Sequence, residues 1–201
     1  LHMARKTGSH SEITGPKIKQ AALHLFARYG FAAVTMRQIA ARVGVQAGAI
    51  YNYTPDKQAL LFDLLHGHMA DLLVRWTEEQ VPGNPVAALD HFVAFHLDFH
   101  IQRPELVFIS YMELRNLTEE NFKAIEEKRS RYEKIVYDMI RKGVLSGDFQ
   151  VPDAKITSFA LIAMLTGVVD WFREDGRLSR EELTRQYCAL VRQTLGVNAL
   201  A

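Results

Sequence analysis

Polar side chains able to contact nucleic acid are concentrated between residues 30 and 57 of this 201-residue chain. Arg37, Gln46 and Asn52 can donate hydrogen bonds to phosphates or bases, and the amide of Gln46 is suited to bidentate pairing with adenine. Lys57 lies at a predicted helix start, where the helix dipole disfavours a cation, so a phosphate partner would explain its placement. In the alternative interpretation, all four are ordinary solvated side chains.

The residues around them predict two short helices joined by a glycine turn. Thr35 and Gln38 fit a capping box, in which each side chain bonds the backbone at the start of a helix. A second helix is expected over residues 46–53. Ala47 and Gly48 leave the leading edge of this second helix nearly bare, so that its backbone can approach the floor of the DNA major groove. The pattern predicts a helix-turn-helix.

The charge distribution agrees with a nucleic-acid partner, although the whole chain carries only +1. Residues 1–57 hold eight basic and two acidic residues, a net charge of +6, and the remainder holds 16 basic and 21 acidic residues, a net charge of −5. One end of the molecule is therefore expected to face phosphate. Residues 1–13 are expected to be a disordered basic tail with a cloning remnant before Met3, or alternatively an arm that touches DNA.

Several other classes of protein are not expected. The single cysteine, Cys188, excludes an internal disulfide and fits a reducing cytoplasm. No apolar run approaches the roughly 18 residues of a membrane span, so no membrane partner is expected. The chain lacks a G-x-S-x-G elbow and a glycine-rich phosphate loop, so an enzyme is not expected. His96 and His100 have metal-ligand spacing, but no third ligand accompanies them, and neither a metal nor a cofactor is expected.

Helical periodicity continues through the rest of the chain, with about nine helices and no convincing strand. The fold class expected is therefore all-α, with a DNA-binding domain over residues 14–57 and a helical domain over residues 58–201. The helix over residues 154–172 is apolar on every face. In a chain of this size, such a helix needs a partner subunit to cover its second face.

The order of elements resembles the TetR family of bacterial transcriptional regulators across nearly the whole chain. The resemblance is carried by Phe26-Ala-Arg-Tyr-Gly30, Val34-Thr35-Met-Arg-Gln-Ile39-Ala40, Val43-Gly44-Val45, Gly48-Ala-Ile-Tyr51, Lys57 and Leu60-Leu61. It implies a homodimer that binds a palindromic double-stranded DNA operator and a small-molecule effector. The last two helices, residues 154–172 and 180–195, are then expected to form the dimer interface.

The resemblance also implies roles for individual residues of the helix-turn-helix. Thr35 is expected to meet a phosphate through its hydroxyl or amide, besides capping a helix. Tyr51 is expected to contact a phosphate, or alternatively to be part of the core. Gln46 stands where the family often has Ser, so the base read at this position should differ.

A second departure from the family concerns packing. Thr54 stands where the family usually has a Phe that packs the helix-turn-helix against the following long helix. We expect Tyr53 or Phe31 to fill that space. Thr54 is also expected to cap the following helix, which a hydroxyl at this position can do.

The C-terminal half is similar to family members that sense fatty acyl-CoA or steroid-derived CoA thioesters. The similarity lies in the stretches Glu113–Asn121 and Trp171–Ser179 and at Gly143–Phe149, where the long helix from Thr118 is expected to break. The residues expected to bind such a ligand are Phe92, Phe95, His96, Phe99, Arg115, Phe122, Arg129 and Trp171, with Arg103 as a further candidate. In this interpretation the aromatics line an apolar cavity and the arginines receive an anionic group. In the alternative, the aromatics fill a core and the arginines lie on solvated faces.

These features together predict a ligand-responsive transcriptional repressor that is released from its operator by an elongated apolar anion such as an acyl-CoA thioester. The alternative is a helical small-molecule-binding protein without specific DNA binding, against which the basic N-terminal part of the chain argues. A ligand can lower DNA affinity only by preferring a body conformation that misplaces the two DNA-binding domains.

Overall fold

The computed structural model describes residues 8–197, with side chains from residue 14 onward. Regular structure in this part of the chain is entirely helical, which confirms the all-α prediction. The α-helices in chain order are α1 (Gly8–Tyr29), α2 (Met36–Val43), α3 (Lys57–Glu78), α4 (Pro85–Ile101), α5 (Pro104–Met112), α6 (Glu119–Ser146), α7 (Ala154–Thr166), α8 (Val168–Trp171) and α9 (Arg180–Thr194). Two short 3-10 helices cover Ala49–Asn52 and Leu114–Asn116.

The chain divides into two compact units. The first unit runs to Met69 and also contains Phe108–Ile125, here called the inserted segment. The second unit contains Ala70–Val107 and the chain from Glu126 onward. The domain boundary placed between residues 57 and 58 from the sequence falls in the first turn of α3. The first unit therefore holds the helix-turn-helix together with residues from far along the chain.

The first unit is built around the apolar face of α1, which packs against α2. Its central side chains are at most 2% exposed: Ile18, Ala22, Phe26, Val34, Ile39, Ile50 and Leu61. Full burial of a large aliphatic or aromatic side chain contributes roughly 1.5–3 kcal/mol. This core holds α2 and the 3-10 helix Ala49–Asn52 on a rigid support.

The helix α1 begins earlier than the sequence predicts. It starts at Gly8, so Pro16 lies inside the helix and not at its first turn. A proline lacks one backbone N–H and crowds the preceding turn, which can kink a helix without ending it. Residues 8–13, expected to be disordered, are therefore helical, and residues 1–7 of the expected tail lie outside the described residues.

The second unit packs α4 against α7, α8 and α9. Asn84 caps α4 by accepting a hydrogen bond from the Ala87 amide at 3.0 Å, and Pro85 follows at the first helical position. Asp153 caps α7 by accepting from the amides of Lys155 and Ile156. Its deeply buried side chains include Leu89, Phe92, Val93, Val136, Ile140, Leu161, Val168, Leu183 and Val191.

The glycine at position 143 has a steric role. We expected Gly143 to break the long helix, but α6 continues through it to Ser146, and Gly147 follows with a φ of +84°. The ring of the buried Phe149 lies directly against Gly143, so that a Cβ atom at this position would overlap the ring. The helix keeps a glycine here because the next segment of chain packs onto it.

Candidate functional site

The start of α2 is fixed by the capping box that the sequence predicts. The amide of Thr35 donates to Gln38 Oε1 at 2.7 Å, and the amide of Gln38 donates to Thr35 Oγ1 at 3.2 Å. Gly44 ends the helix with a φ of +79°, and its N–H bonds the carbonyls of Ala40 and Ala41. The helix has only eight residues, so these two ends define most of its backbone.

The second helix of the motif is shorter than predicted. In place of an α-helix over residues 46–53, the structure has one turn of 3-10 helix, Ala49–Asn52, and Gly48 before it makes no side-chain cap. Glycine lacks a capping side chain and has low helix propensity, which accounts for the late start. Ile50 is fully buried and fixes this turn to the core of the first unit.

The side chains predicted to contact DNA lie on the surface. Tyr51 is 55% exposed. A Cβ atom at Gly48 would meet no other atom within 4 Å, so nothing crowds the chain there. The other exposed members of the predicted set are Thr35, Arg37, Gln46, Ala47 and Asn52. The short segment from Gln46 to Asn52 therefore presents an accessible edge, which a contact with a duplex requires.

Lys57 lies in a different environment from the other predicted contacts. Its ammonium donates to the carbonyl oxygens of Phe31 at 2.7 Å and Val34 at 2.8 Å, and it lies 4.2 Å from the centre of the Phe31 ring. A third carbonyl, that of Ala32, is at 3.5 Å. These contacts give the cation partners within the chain, so its position at the start of α3 does not need a phosphate to explain it.

Phe31 fills the space that we assigned to either Phe31 or Tyr53. Its side chain is 7% exposed and its ring centre lies 5.3 Å from that of Phe26, whereas Tyr53 is 37% exposed. Thr54 is buried, but it does not cap α3. Its hydroxyl donates to the carbonyl of Asp56, and the Asp56 carboxylate accepts from the Ala59 amide at 2.8 Å, so Asp56 is the cap.

A polar network in the first unit was not predicted from the sequence. Glu113, only 6% exposed, accepts a hydrogen bond from the Phe31 amide at 3.1 Å. Its second carboxylate oxygen accepts from the Asn116 side chain at 2.5 Å. The carbonyl of Asn116 in turn accepts from the Gln58 side-chain amide. Glu113 lies 82 residues from Phe31, so no local pattern in the sequence could identify this contact.

The residues predicted to bind a ligand have very different environments. Arg115 and Phe122 belong to the first unit and are exposed, and the other six belong to the second unit. Within the second unit, Phe92, His96 and Phe99 are at most 3% exposed, whereas Trp171 is 51% exposed. The remaining two, Phe95 and Arg129, are partly buried.

The buried aromatics pack against one another. The ring of Trp76 lies edge-on to those of Phe92 at 5.3 Å and Phe95 at 5.1 Å, a geometry that stabilises aromatic pairs. Arg103 stacks over Phe99 at 4.0 Å, donates to the Phe99 carbonyl, and pairs with Asp71 at 3.3 Å. The sequence analysis did not identify Trp76 and Asp71 as partners. Trp76 packs against Phe92 and Phe95, and Asp71 pairs with Arg103, so these contacts fix the positions of three predicted ligand residues.

His96 is the centre of a buried hydrogen-bonded cluster. Its Nδ1 lies 3.0 Å from the Tyr132 hydroxyl and its Nε2 lies 3.1 Å from the Thr166 hydroxyl. The ring of His100 stacks on that of His96 at 3.8 Å. Both ring nitrogens of His96 are thus within hydrogen-bond distance of hydroxyl groups. Among the described residues, no group of three or more His, Cys, Asp or Glu side chains is arranged to hold a metal ion.

Two titratable groups of the second unit, the buried His100 and the half-buried Cys188, are held in their neutral forms. Burial lowers the pKa of His100 from 6.5 to about 4; the hydrogen bond to the His96 carbonyl opposes this, and the charge of Arg103 adds to it. That carbonyl can only accept, so Nδ1 of His100 carries a proton. Burial raises the pKa of Cys188 to about 11, so the thiol is protonated at neutral pH and is a poor nucleophile.

An open groove of about 340 Å³ lies between α6 and α7 in the second unit. It is lined by Ser130, Glu133, Lys134, Tyr137, Lys155, Ser158 and Phe159. Burial raises the pKa of Glu133. None of these residues belongs to the predicted ligand-binding set, so this groove gives that set no support.

The helix pair α7 and α8 carries exposed apolar side chains. Ile156 is 67% exposed, Phe159 45% and Trp171 51%, and Leu190 on α9 is 47% exposed. By length and composition, Ala154–Trp171 is also long enough to cross a membrane, which corrects the expectation that no apolar run approaches that length. The same composition is found in helices that another protein surface covers.

Two family models match the chain. The model described as bacterial regulatory proteins, tetR family, matches residues 18–64, and the model described as tetracyclin repressor-like, C-terminal domain, matches residues 82–195. The first match contains the helix-turn-helix with its capped α2. The second contains most of the second unit and the inserted segment.

Known proteins resemble the chain over most of its length. The HTH-type transcriptional repressor KstR2 of Mycobacterium tuberculosis is 27% identical over 193 residues, which cover 94% of this chain and 96% of that protein. The solved structure of this ketosteroid transcriptional regulator has a TM-score of 0.82 at 23% identity, covering 98% and 100% of the two chains.

Two further solved structures share the fold. A regulatory protein in the tetR family from Rhodococcus RHA1 has a TM-score of 0.86 at 24% identity, covering 93% of this chain and 99% of that one. AibR, solved in complex with isovaleryl coenzyme A and operator DNA, has a TM-score of 0.80 at 22% identity, covering 92% and 100%. At these identities the likeness shows the fold alone.

Proposed function

Because the chain belongs to the TetR family of bacterial regulatory proteins, we propose that it is a cytoplasmic transcriptional repressor that binds a palindromic operator as a homodimer. The observation that carries the proposal is the accessible edge from Gln46 to Asn52, which follows an α2 that is capped at both ends. A rigid support with an exposed, side-chain-poor edge is what close approach to a major groove requires.

The residues predicted to contact DNA have separate roles in this proposal. Gln46 reads a base, because its amide can pair with the exposed edge of adenine. Ala47 and Gly48 allow close approach of the backbone. The other predicted contacts meet phosphates or flank the bases with polar groups: Tyr51 and Asn52 on the edge, and Thr35, Arg37 and Lys57 outside it. Lys57 has carbonyl partners of its own, so we assign it a contribution through charge at the surface.

The homodimer is proposed to form through α7, α8 and α9, within residues 154–172 and 180–195. The support is the set of large apolar side chains exposed on these helices, Ile156, Phe159, Trp171 and Leu190. A second copy of the chain, related to the first by two-fold symmetry, covers these side chains with its own copy of the same face. Two DNA-binding units then contact half-sites separated by about one helical turn or a multiple of it.

We also propose that the second unit binds an acyl-CoA thioester or a similar elongated apolar anion as effector. The support is the relationship to AibR, solved with isovaleryl coenzyme A, and to KstR2, a ketosteroid regulator. Phe92, His96 and Phe99 are at most 3% exposed in one chain. We therefore expect binding to favour a more open second unit, and this difference between conformations couples the ligand to DNA.

Selection from a library of random duplexes with the full chain tests the DNA-binding function. We expect a two-fold symmetric consensus and an affinity that falls steeply with salt. The double variant Gln46→Ala, Tyr51→Ala serves as the control, which should bind more weakly and lose base preference at one position in each half-site. If the wild-type protein enriches no sequence and shows no salt-dependent binding, the chain is a helical small-molecule-binding protein without specific DNA binding.

Calorimetry with acyl-CoAs of graded chain length, and with free coenzyme A as the control, tests the effector. Binding should lower operator affinity by a coupling of roughly 1–3 kcal/mol, and operator should weaken ligand binding equally. The absence of heat and of any change in DNA affinity across the panel would refute the acyl-CoA proposal and leave the DNA-binding proposal intact.

A further inference from the structure

The turn between α1 and α2 depends on a residue outside the helix-turn-helix. Gly30 ends α1 with a φ of +80°, and its amide still bonds the carbonyl of Phe26. This single bond is one of the common helix endings, and it leaves the next amide, that of Phe31, without a partner in the helix. That amide donates to the Glu113 carboxylate at 3.1 Å. The inserted segment thus supplies the acceptor that this helix ending does not provide.

Glu113 is held firmly enough to serve as this acceptor. Its own amide bonds the carbonyl of Ile109 at 3.0 Å, at the end of α5, and its carbonyl accepts from the Asn116 amide at 3.0 Å. Ile109 is fully buried and fixes this part of α5 in the first unit. The second carboxylate oxygen is bonded by the Asn116 side chain. Backbone and side chain of Glu113 are therefore both fixed.

Packing alone does not explain why a glutamate is buried at position 113. A carboxylate that is 6% exposed loses most of its hydration, and this is tolerated in proteins when hydrogen bonds replace the water. An apolar side chain of similar size would fill the space without that cost. The hydrogen bond to the Phe31 amide is the interaction that such an apolar side chain could not make.

Phe31 is bonded at both of its peptide groups by charged side chains. Glu113 accepts from its amide, and Lys57 donates to its carbonyl at 2.7 Å. The Val34 amide also bonds that carbonyl, at 3.3 Å, and Thr35 then caps α2. Only four residues, Phe31 to Val34, separate the ordered Gly30 from the cap. The conformation of Phe31 therefore determines the direction in which α2 leaves α1.

We propose that Glu113 is a positioning residue for DNA recognition, which holds the α1–α2 turn so that α2 and the edge from Gln46 to Asn52 are placed correctly on the operator. This inference rests on the proposed function. It extends the set of residues needed for DNA recognition into the inserted segment, more than fifty residues beyond the helix-turn-helix. The α1–α2 turn is accordingly stabilised by α5 as well as by its own neighbours.

Four variants of the full chain separate this role from a general effect on folding. Glu113→Ala removes the acceptor. Glu113→Asp keeps the carboxylate on a side chain that is one methylene shorter. Glu113→Gln keeps an acceptor of the same length, and its amide group can pair with a reoriented Asn116 side chain. Glu120→Ala is the matched control, because Glu120 is an exposed acid of the same segment.

Amide exchange measured by NMR on the free protein reports the contact directly. We expect the Phe31 amide to exchange at least about tenfold faster in Glu113→Ala and Glu113→Asp than in the wild type, because a hydrogen bond of this size is worth about a factor of ten. In Glu113→Gln and Glu120→Ala, the exchange rate of the Phe31 amide should stay within about threefold of the wild-type rate. If Glu113→Ala does not fold, Glu113→Asp decides the outcome.

Fluorescence anisotropy with the selected operator and with a random duplex reports the consequence. We expect the ratio of operator to random affinity to fall by about tenfold in Glu113→Asp and to recover in Glu113→Gln. A folded Glu113→Asp variant with wild-type discrimination, or with an unchanged Phe31 amide, would overturn the inference and leave the proposed function standing. A wild-type protein that binds no duplex would overturn the proposed function and this inference with it.

Discussion

The ammonium of Lys57 lies over the ring of Phe31, 4.2 Å from its centre, and 2.7 Å from its carbonyl oxygen. This single contact joins the first residue of α3 to the turn that precedes α2. It combines a cation–π interaction with a charge-assisted hydrogen bond, both of which are stronger when partly shielded from water. Lys57 is therefore a structural residue of the helix-turn-helix.

Replacement of Lys57 by methionine should destabilise the protein. The methionine keeps the apolar contact with the Phe31 ring but removes the ammonium donor from the carbonyls of Phe31 and Val34, and the Phe31 carbonyl then keeps only the Val34 amide. We expect a loss of about 1–2 kcal/mol in the free energy of unfolding, measured by urea titration. Lys57→Arg, which keeps a cation, should lose less. Equal stability of Lys57→Met and the wild type would show that the carbonyl contacts contribute nothing.

Replacement of Gln46 by alanine should relax base preference at one position in each half-site. Gln46 is exposed, so the change should not affect folding. We expect a loss of roughly 1–3 kcal/mol of discrimination at that position, measured by repeating the duplex selection with the variant. Gln193→Ala, an exposed glutamine on α9, is the control and should return the wild-type consensus. An unchanged consensus for Gln46→Ala would exclude it as the base-reading residue.

Stability should fall as the pH falls from 6.5 to about 4. In this range the unfolded chain binds a proton at His100, whereas the folded chain does not, because burial lowers the pKa of this histidine to about 4. Protons therefore favour the unfolded state, by up to about 3 kcal/mol at the acid end. In His100→Gln this part of the pH dependence should be absent. If the free energy of unfolding changed with pH in the same way in His100→Gln and in the wild type, His100 would not be the source of this pH dependence.

Replacement of Phe159 by glutamate should separate the dimer into folded monomers. Phe159 is 45% exposed in one chain, so a charge there is tolerated in the monomer but is buried without a partner in the dimer. Analytical ultracentrifugation at micromolar concentration measures the change. Val74→Glu, at a 55% exposed position on α3, is the control and should remain dimeric. A wild-type protein that is itself a folded monomer would contradict the proposed interface.

Phe159 is chosen for this test because its side chain is exposed in one chain. Val168 is also within the predicted interface helix, but it is fully buried within one chain. A charge at Val168 would therefore disrupt the core of the second unit and would report nothing about the dimer. An all-apolar helix tells us that both faces are covered, but it does not tell us which face a single chain covers.

The features that the sequence predicted well are those in which partners are close along the chain. The cap at Thr35 involves a residue three positions away, so the side-chain types are sufficient to identify it. The all-α class follows in the same way from a periodicity of three to four residues. Even so, the prediction of an α-helix after Gly44 was wrong, because local propensity does not separate a single 3-10 turn from an α-helix.

The features that were missed depend on contacts between distant residues. His96 meets Thr166 70 positions away, and Glu113 meets Phe31 82 positions away. In the sequence, a histidine such as His96 looks the same whether it binds a ligand or a hydroxyl group in the core. The sequence therefore identified candidate ligand residues by their side-chain types, but it could not assign them to a cavity or to a core.

The hydrogen bond between Glu113 and Phe31 has a consequence for protein engineering. Chimeric biosensors are made by joining the DNA-binding part of one regulator to the sensory part of another. A junction placed directly after the helix-turn-helix of this protein would supply a foreign residue opposite the Phe31 amide and leave that amide without its acceptor. A graft that also carries Phe108–Ile125 preserves the contact, so the transferable module of this protein is discontinuous in the chain.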